Sequence, residues 1–179
     1  GADPSKVAVF GNLKYDLPSA TPKLNRPLIE LLEASQPLIV AASTAAQEET
    51  LVLEAFRAVC TDEPAAKLLI APRLADRFDE VEALLRTSGL TYCRRSRITN
   101  TADGADVILL DSIGELSGIF EYATLVFMGG TLVPRGGHNL LEPARFAKPV
   151  LFGPHMQNFR EMTRTFLEAN AGIQVVDAA

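Results

Sequence analysis

The sequence predicts an α/β fold, a parallel sheet flanked by helices, and three observations carry that expectation. Short β-branched or aliphatic runs alternate with longer amphipathic ones, the order produced when crossover helices join parallel strands. The 179 residues are 47% hydrophobic and 22% charged, which suffices to bury one domain-sized core and is too apolar for a disordered chain. Turn-forming and polar residues gather directly after the strand-like runs, where an open α/β sheet places its ligand crevice.

Taken in order, the strand-like runs are Val7 to Phe10, Pro37 to Ala42, Lys67 to Ala71, Asp106 to Leu110, Thr124 to Met128, Pro149 to Phe152 and Ile173 to Val176. Leu90 to Arg94 adds a further short strand. Between these runs apolar residues recur at helical spacing. They are Leu28, Leu31 and Leu32 after Pro27, then Leu51, Val52, Ala55, Phe56 and Val59, then Phe78, Val81, Leu84 and Leu85. A last amphipathic stretch, Arg160 to Glu168, turns Met162, Phe166 and Leu167 inward. All of these read as core and carry no chemistry.

Composition removes several functions. No run approaches ~18 consecutive apolar residues, so no membrane-spanning helix is expected. Cys60 and Cys93 lie far apart with no C-x-x-C spacing, which excludes a disulfide framework and argues against structural zinc. A net charge of -5 lacks the basic footprint that nucleic acid requires. The one basic cluster, Arg94, Arg95 and Arg97, reads as a solvated strand end, with a face toward anionic lipid or the donor as the alternative. No D-x-D occurs, and Asp103 and Asp106 precede a strand rather than follow one, so no catalytic metal is expected. The chain starts at Gly1 without Met or a leader pattern and reads as a piece of something longer.

Four loops follow strands: Ser43-Thr44, Pro72-Arg73, Asp111 to Leu116, and Gly129 to Glu142. Carried on to Pro143, the last holds four glycines and two prolines around a helix start. Glycine pairs let backbone approach a ligand and a helix N-terminus offers free N–H groups, which together suit a phosphate. The same residues admit a plainer account, in which Gly136-Gly137 turns the chain and Asn139-x-x-Glu142 is a capping box. Neither G-x-G-x-x-G nor G-x-x-x-x-G-K-[ST] is present.

The segments GNLKYDLP (Gly11 to Pro18), DSIGEL (Asp111 to Leu116), GGTLVPRGGHNLLEPA (Gly129 to Ala144) and KPVLFGPHMQNF (Lys148 to Phe159) closely resemble the C-terminal half of 3-deoxy-D-manno-octulosonic acid (Kdo) transferases. The resemblance implies a Rossmann-like C-terminal domain of a GT-B glycosyltransferase across residues 1–179, with the N-terminal acceptor domain outside this chain. It implies that Pro72 and Arg73 contact CMP, the guanidinium meeting the phosphate. It places backbone of Ile113, Gly114 and Glu115 against cytosine or ribose. It puts Asn139, Leu140, Leu141 and Glu142 on the donor, the Glu carboxylate accepting from ribose hydroxyls. Ser43, Thr44, Gly130, Gly137, His138 and His155 are further candidates for the donor crevice. Read by themselves, Arg73 could pair with Asp76 or stay solvated, Ser112 and Glu115 could start a helix, and either histidine could merely pack the crevice wall.

The chain departs from the family's A-S-T-H-x-G-E-E, reading Ala42, Ser43, Thr44, Ala45, Ala46, Gln47, Glu48 and Glu49, and carries Leu74 where a His usually follows Pro-Arg. The implied reaction of the whole protein moves Kdo from CMP-Kdo to a lipid A precursor. No metal or cofactor is expected, the general base is expected in the N-terminal domain, and this fragment alone is expected to be soluble and inactive. The implied location is the cytoplasmic face of the bacterial inner membrane. Rival readings are another GT-B domain, of a UDP-sugar transferase or an epimerase, and a non-enzymatic nucleotide-sensing module.

Overall fold

In chain order the strands are β1 (Leu38–Thr44), β2 (Lys67–Pro72), β3 (Tyr92–Arg94), β4 (Val107–Leu109), β5 (Leu125–Met128), β6 (Val150–Phe152) and β7 (Gly172–Gln174). The helices are α1 (Arg26–Ala34), α2 (Glu48–Asp62), α3 (Phe78–Thr87), α4 (Leu116–Ile119), α5 (Leu141–Ala144) and α6 (Arg160–Glu168). This is a computed structural model that describes residues 3–8, 22–98 and 104–178. Among the described residues the strands form one sheet in the order β3-β4-β2-β1-β5-β6-β7, and every neighbouring pair is parallel.

Alternate strand residues face opposite sides, and both sides are covered. Val40, Ala42, Leu69, Ile108, Val126 and Phe152 pack with Leu28 and Leu32 of α1, Ile119 of α4 and Phe166 of α6. Ala41, Leu68, Ile70, Leu109 and Phe127 pack with Leu53 and Phe56 of α2 and Val81 and Leu85 of α3. Burial on two faces explains why the central strands read as continuous apolar runs rather than alternating ones. Helix α1 starts where Asn25 accepts from the Leu28 N–H at 3.1 Å and Pro27 sits in the first turn, where no intrahelical N–H is needed.

The expected strand Val7 to Phe10 is corrected in part. Val7 and Ala8 belong to no strand, and Val7 is exposed. The remainder of that run and the segment Gly11 to Pro18 lie outside the described residues. The last strand is shifted to Gly172–Gln174 because its register is set by β6, with Val150 opposite Gly172 and Phe152 opposite Gln174. Val176 lies beyond that pairing and is exposed.

Gln47, which stands where the resembling family has glycine, precedes α2 with φ +81° and makes no side-chain capping bond. A side chain in the left-handed region costs about 1–2 kcal/mol, and glycine adopts it freely at a smaller entropic cost. Gln47→Gly should therefore stabilise the domain by about 1 kcal/mol. Urea melts of the two proteins check this, and a loss of stability would mean that the Gln47 side chain contributes more than its backbone strains.

Candidate functional site

Adjacent strands β1 and β5 send their connections to opposite sides of the sheet, β1 toward β2 and β5 toward β6. A crevice opens outside the carboxyl ends of two such strands. At its floor β1 ends in a register shift between Ala42 and Thr44, with Ser43 at φ +54°. The β1 end stays joined to the next strand's loop, since the Arg73 N–H donates to the Thr44 carbonyl at 3.0 Å.

One buried carboxylate ties this floor together. Glu48, the first residue of α2, is fully buried and accepts from the backbone N–H groups of Ala45 (2.8 Å), Gly130 (2.6 Å), Thr131 (2.9 Å) and Leu132 (2.8 Å). Next to it Glu49 accepts from the Thr44 hydroxyl at 2.7 Å and from both terminal nitrogens of Arg77 at 2.7 and 3.2 Å. The loops after β1 and β5 press so closely that a Cβ on Gly129 would lie 2.6 Å from the Thr44 Cα. Only glycine permits that approach. Sequence reasoning passed over these two acids as functional residues; an adjacent acid pair opening a helix after a post-strand loop was the available signal.

The glycine-rich loop is accordingly not an empty phosphate cradle. The Gly130 N–H is spent on Glu48, and the N–H of Gly137 donates to the Gly130 carbonyl at 3.0 Å. Helix α5 is a single turn without a side-chain cap bond, too short to offer much of a dipole. The capping-box account is corrected as well: Asn139 Oδ1 accepts from the Leu141 N–H at 3.1 Å, but the Glu142 side chain does not return to the backbone. Among the described residues it makes no hydrogen bond.

Above the floor, Arg73 lies close enough to His138 and Glu142 for its charge to act on both. Arg73 is exposed at the end of β2, and among the described residues its guanidinium makes no hydrogen bond or ion pair, with Asp76 or any other acid. Its charge reaches both neighbours. Burial pushes the Glu142 carboxyl above its usual range, and Arg73 opposes that shift. Burial lowers the His138 pKa, Arg73 lowers it further and Glu48 works the other way, so a neutral imidazole is favoured. An unpaired guanidinium beside a half-buried carboxylate is a site for an anion next to a hydrogen-bond donor.

The loop after β4 forms the next wall. Ile113 is 77% exposed and Gly114 turns at φ +90°. Glu115 is taken by Arg95, through Nε at 3.0 Å and Nη2 at 2.7 Å, and by the Ser112 hydroxyl. Its carboxylate therefore anchors the loop rather than starting α4. Arg94 is not a solvated strand end either, since it pairs with Asp79, Glu82 and Asp111, whereas Arg97 is 68% exposed and reaches Glu82 from the surface.

The other expected positions divide by burial. Pro72, Thr44, Gly130, Gly137 and Leu140 are buried, so they shape the crevice without presenting side chains to it. Ser43, Asn139, Leu141 and His155 are partly exposed, and His155 Nδ1 lies 3.3 Å from the Gln157 amide nitrogen. Among the described residues no three His, Cys, Asp or Glu side chains gather as a metal site, and no helix is long and apolar enough to cross a membrane.

A doubly covered parallel sheet with its polar groups collected at the strand-end crevice defines a Rossmann-like domain of the GT-B glycosyltransferase type. No family model matches the chain, but individual relatives do. It is 36% identical to a 3-deoxy-D-manno-octulosonic acid transferase of Haemophilus influenzae over 181 aligned residues, covering 100% of this chain and 42% of that protein. A Bordetella pertussis protein of the same name is 32% identical over 99% of this chain and 42% of its own length. The crystal structure of the C-terminal CMP-Kdo binding domain of WaaA from Acinetobacter baumannii superposes with a TM-score of 0.78 at 32% identity, over 86% of this chain and 80% of that one. The chain belongs to the 3-deoxy-D-manno-octulosonic acid transferase family. It spans about two fifths of the length of the full-length relatives named here.

Glu48→Gln tests the floor. An amide nitrogen would face two of the four N–H donors, and hydrogen bonds to a charged group contribute about 1.5–3 kcal/mol each. A loss of roughly 3 kcal/mol in urea melts is expected. A change within about 0.5 kcal/mol, the range of an ordinary surface substitution, would show that the loops hold their places without it.

Proposed function

We propose that residues 1–179 are the donor-nucleotide domain of a GT-B enzyme that moves Kdo from CMP-Kdo to a hydroxyl of a lipid A precursor in lipopolysaccharide synthesis. The observation that carries this reading is that the side chains of Arg73 and Glu142, neither hydrogen-bonded among the described residues, lie near each other at the switch-point crevice of a family member. Arg73 meets the CMP phosphate and stabilises the charge that grows as CMP leaves. Glu142 accepts from the ribose hydroxyls, Asn139, Leu140 and Leu141 hold its turn in place, and neutral His138 lines the wall beside it. Pro72 aims Arg73, and backbone of Ile113, Gly114 and Glu115 receives the cytosine. Ser43, Thr44, Gly130, Gly137 and His155 shape the sugar end.

In the reaction the acceptor oxygen bonds to the anomeric carbon as the bond to the CMP phosphate oxygen breaks, with inversion. The acceptor proton passes to a base in the N-terminal domain, outside this chain. No metal is required, because Arg73 supplies the positive charge. The acceptor meets the full-length protein at the cytoplasmic face of the inner membrane, while the domain described here is soluble.

Two measurements test the reading. In calorimetry CMP should bind more tightly than AMP or GMP, and EDTA should leave its affinity unchanged; a loss on chelation restored by magnesium would overturn the metal-free account. Glu142→Gln should weaken CMP by about tenfold as charge-assisted bonds become neutral ones. The same change separates binding from folding through pH. Because the folded state holds Glu142 protonated to higher pH than the unfolded chain does, Glu142 favours folding at acid pH, and that contribution fades as pH rises through its raised pKa. Glu142→Gln should accordingly melt no lower than wild type at pH 7. Unchanged CMP affinity would refute the ribose role.

A further inference from the structure

The loop between β4 and α4 carries its most exposed side chain, Ile113, between two acids that are both fastened to one neighbouring segment. At its start, Asp111 accepts from the Arg94 Nε at 2.7 Å and from the Ser96 N–H and hydroxyl at 2.7 and 2.6 Å. At its end, Glu115 accepts the two-pronged bond from Arg95. Residues 94–96 are the last residue of edge strand β3 and the start of the 3-10 turn, Arg95–Arg97, that follows it. They make no approach to the crevice through their charges, which are all spent on carboxylates. The Arg95 side chain is 11% exposed and that of Asp111 only 3%, so both pairs sit where water competes weakly.

We propose that Arg95 is a positioning residue for nucleobase recognition. Through its fork to Glu115, with Ser96 and Arg94 holding Asp111, it fixes the turn at Ile113 and Gly114 so that their backbone groups face the base edge. This rests on the reading of the crevice as a cytidine site. The geometry that makes Arg95 suitable is the fork: two parallel N–H donors fix the plane of the Glu115 carboxylate, which a single ammonium bond leaves free to rotate. Among the described residues the Ile113–Gly114 tip has no other brace of this kind, since it projects away from them and a Cβ on Gly114 would meet nothing within 4 Å. A recognition loop with an unsupported tip distinguishes bases only if its two ends are held.

The test compares CMP, UMP and ribose 5-phosphate in calorimetry with wild type, Arg95→Lys, Arg97→Met, and the double variant Arg95→Met with Glu115→Gln, which removes both charges and leaves no unpaired buried ion. In wild type CMP binds better than UMP. The double variant should lose about tenfold in CMP affinity and most of the preference for CMP over UMP, with ribose 5-phosphate bound as in wild type. Arg95→Lys should fall between, and Arg97→Met should match wild type. A general weakening of the fold would lower all three ligands together, so a parallel loss overturns the proposal. Retention of the CMP preference in the double variant also overturns it. Failure of wild type to prefer CMP would instead refute the cytidine reading itself.

Discussion

The carboxylate of Glu48 accepts from four backbone N–H groups on two different loops, and the crevice takes its shape from that arrangement. Those of Gly130 and Thr131 would otherwise be buried without a partner, at a cost of about 1–3 kcal/mol each. A carboxylate serves all four because it offers two oxygens and roughly four lone-pair directions. The consequence reaches the ligand. The backbone donors of Gly130, Thr131 and Leu132 are already satisfied from inside the protein, so in the proposed site the positive charge for an anion comes from a side chain, Arg73.

Charge is distributed around the crevice with the same consistency. Arg77 holds Glu49, Arg94 holds Asp111, and Arg95 holds Glu115. Each pair fastens a post-strand loop to its neighbour. Arg73 also follows its strand but is paired with no carboxylate among the described residues, and nearby Glu142 is held above its ordinary pKa by burial. A ligand with a phosphate and a vicinal diol would satisfy both groups at once, which neither does for the other in its absence.

The departures from the family pattern are also accounted for in part. Ala45 replaces a His, but the bond that this position makes to the floor is through its backbone N–H to Glu48, which any residue except proline can provide. Gln47 replaces a Gly and keeps the left-handed backbone. Leu74 is exposed beside Arg73, and nothing in the structure explains its change from His.

Periodicity in the sequence determined most of the fold. The 3.6-residue patterns of Leu28 to Leu32 and Met162 to Phe166 are local, and each states by itself which face is buried, while the unbroken apolar run Leu38 to Ala42 marks a strand covered on both sides. The order of runs implied a parallel sheet, and the sheet implied that loops after strands would form the site. What local pattern could not determine is which polar side chain spends itself on which partner. Glu48 and the Gly130 N–H are 82 positions apart, and Arg95 and Glu115 are 20 apart. Those pairings arise only when strands distant in sequence come to lie side by side. They decide that Arg94 and Arg95 brace the loop after β4, that the first N–H groups of the glycine-rich loop are satisfied from within, and that the side chains of Arg73 and Glu142 have no hydrogen-bond partner among the described residues.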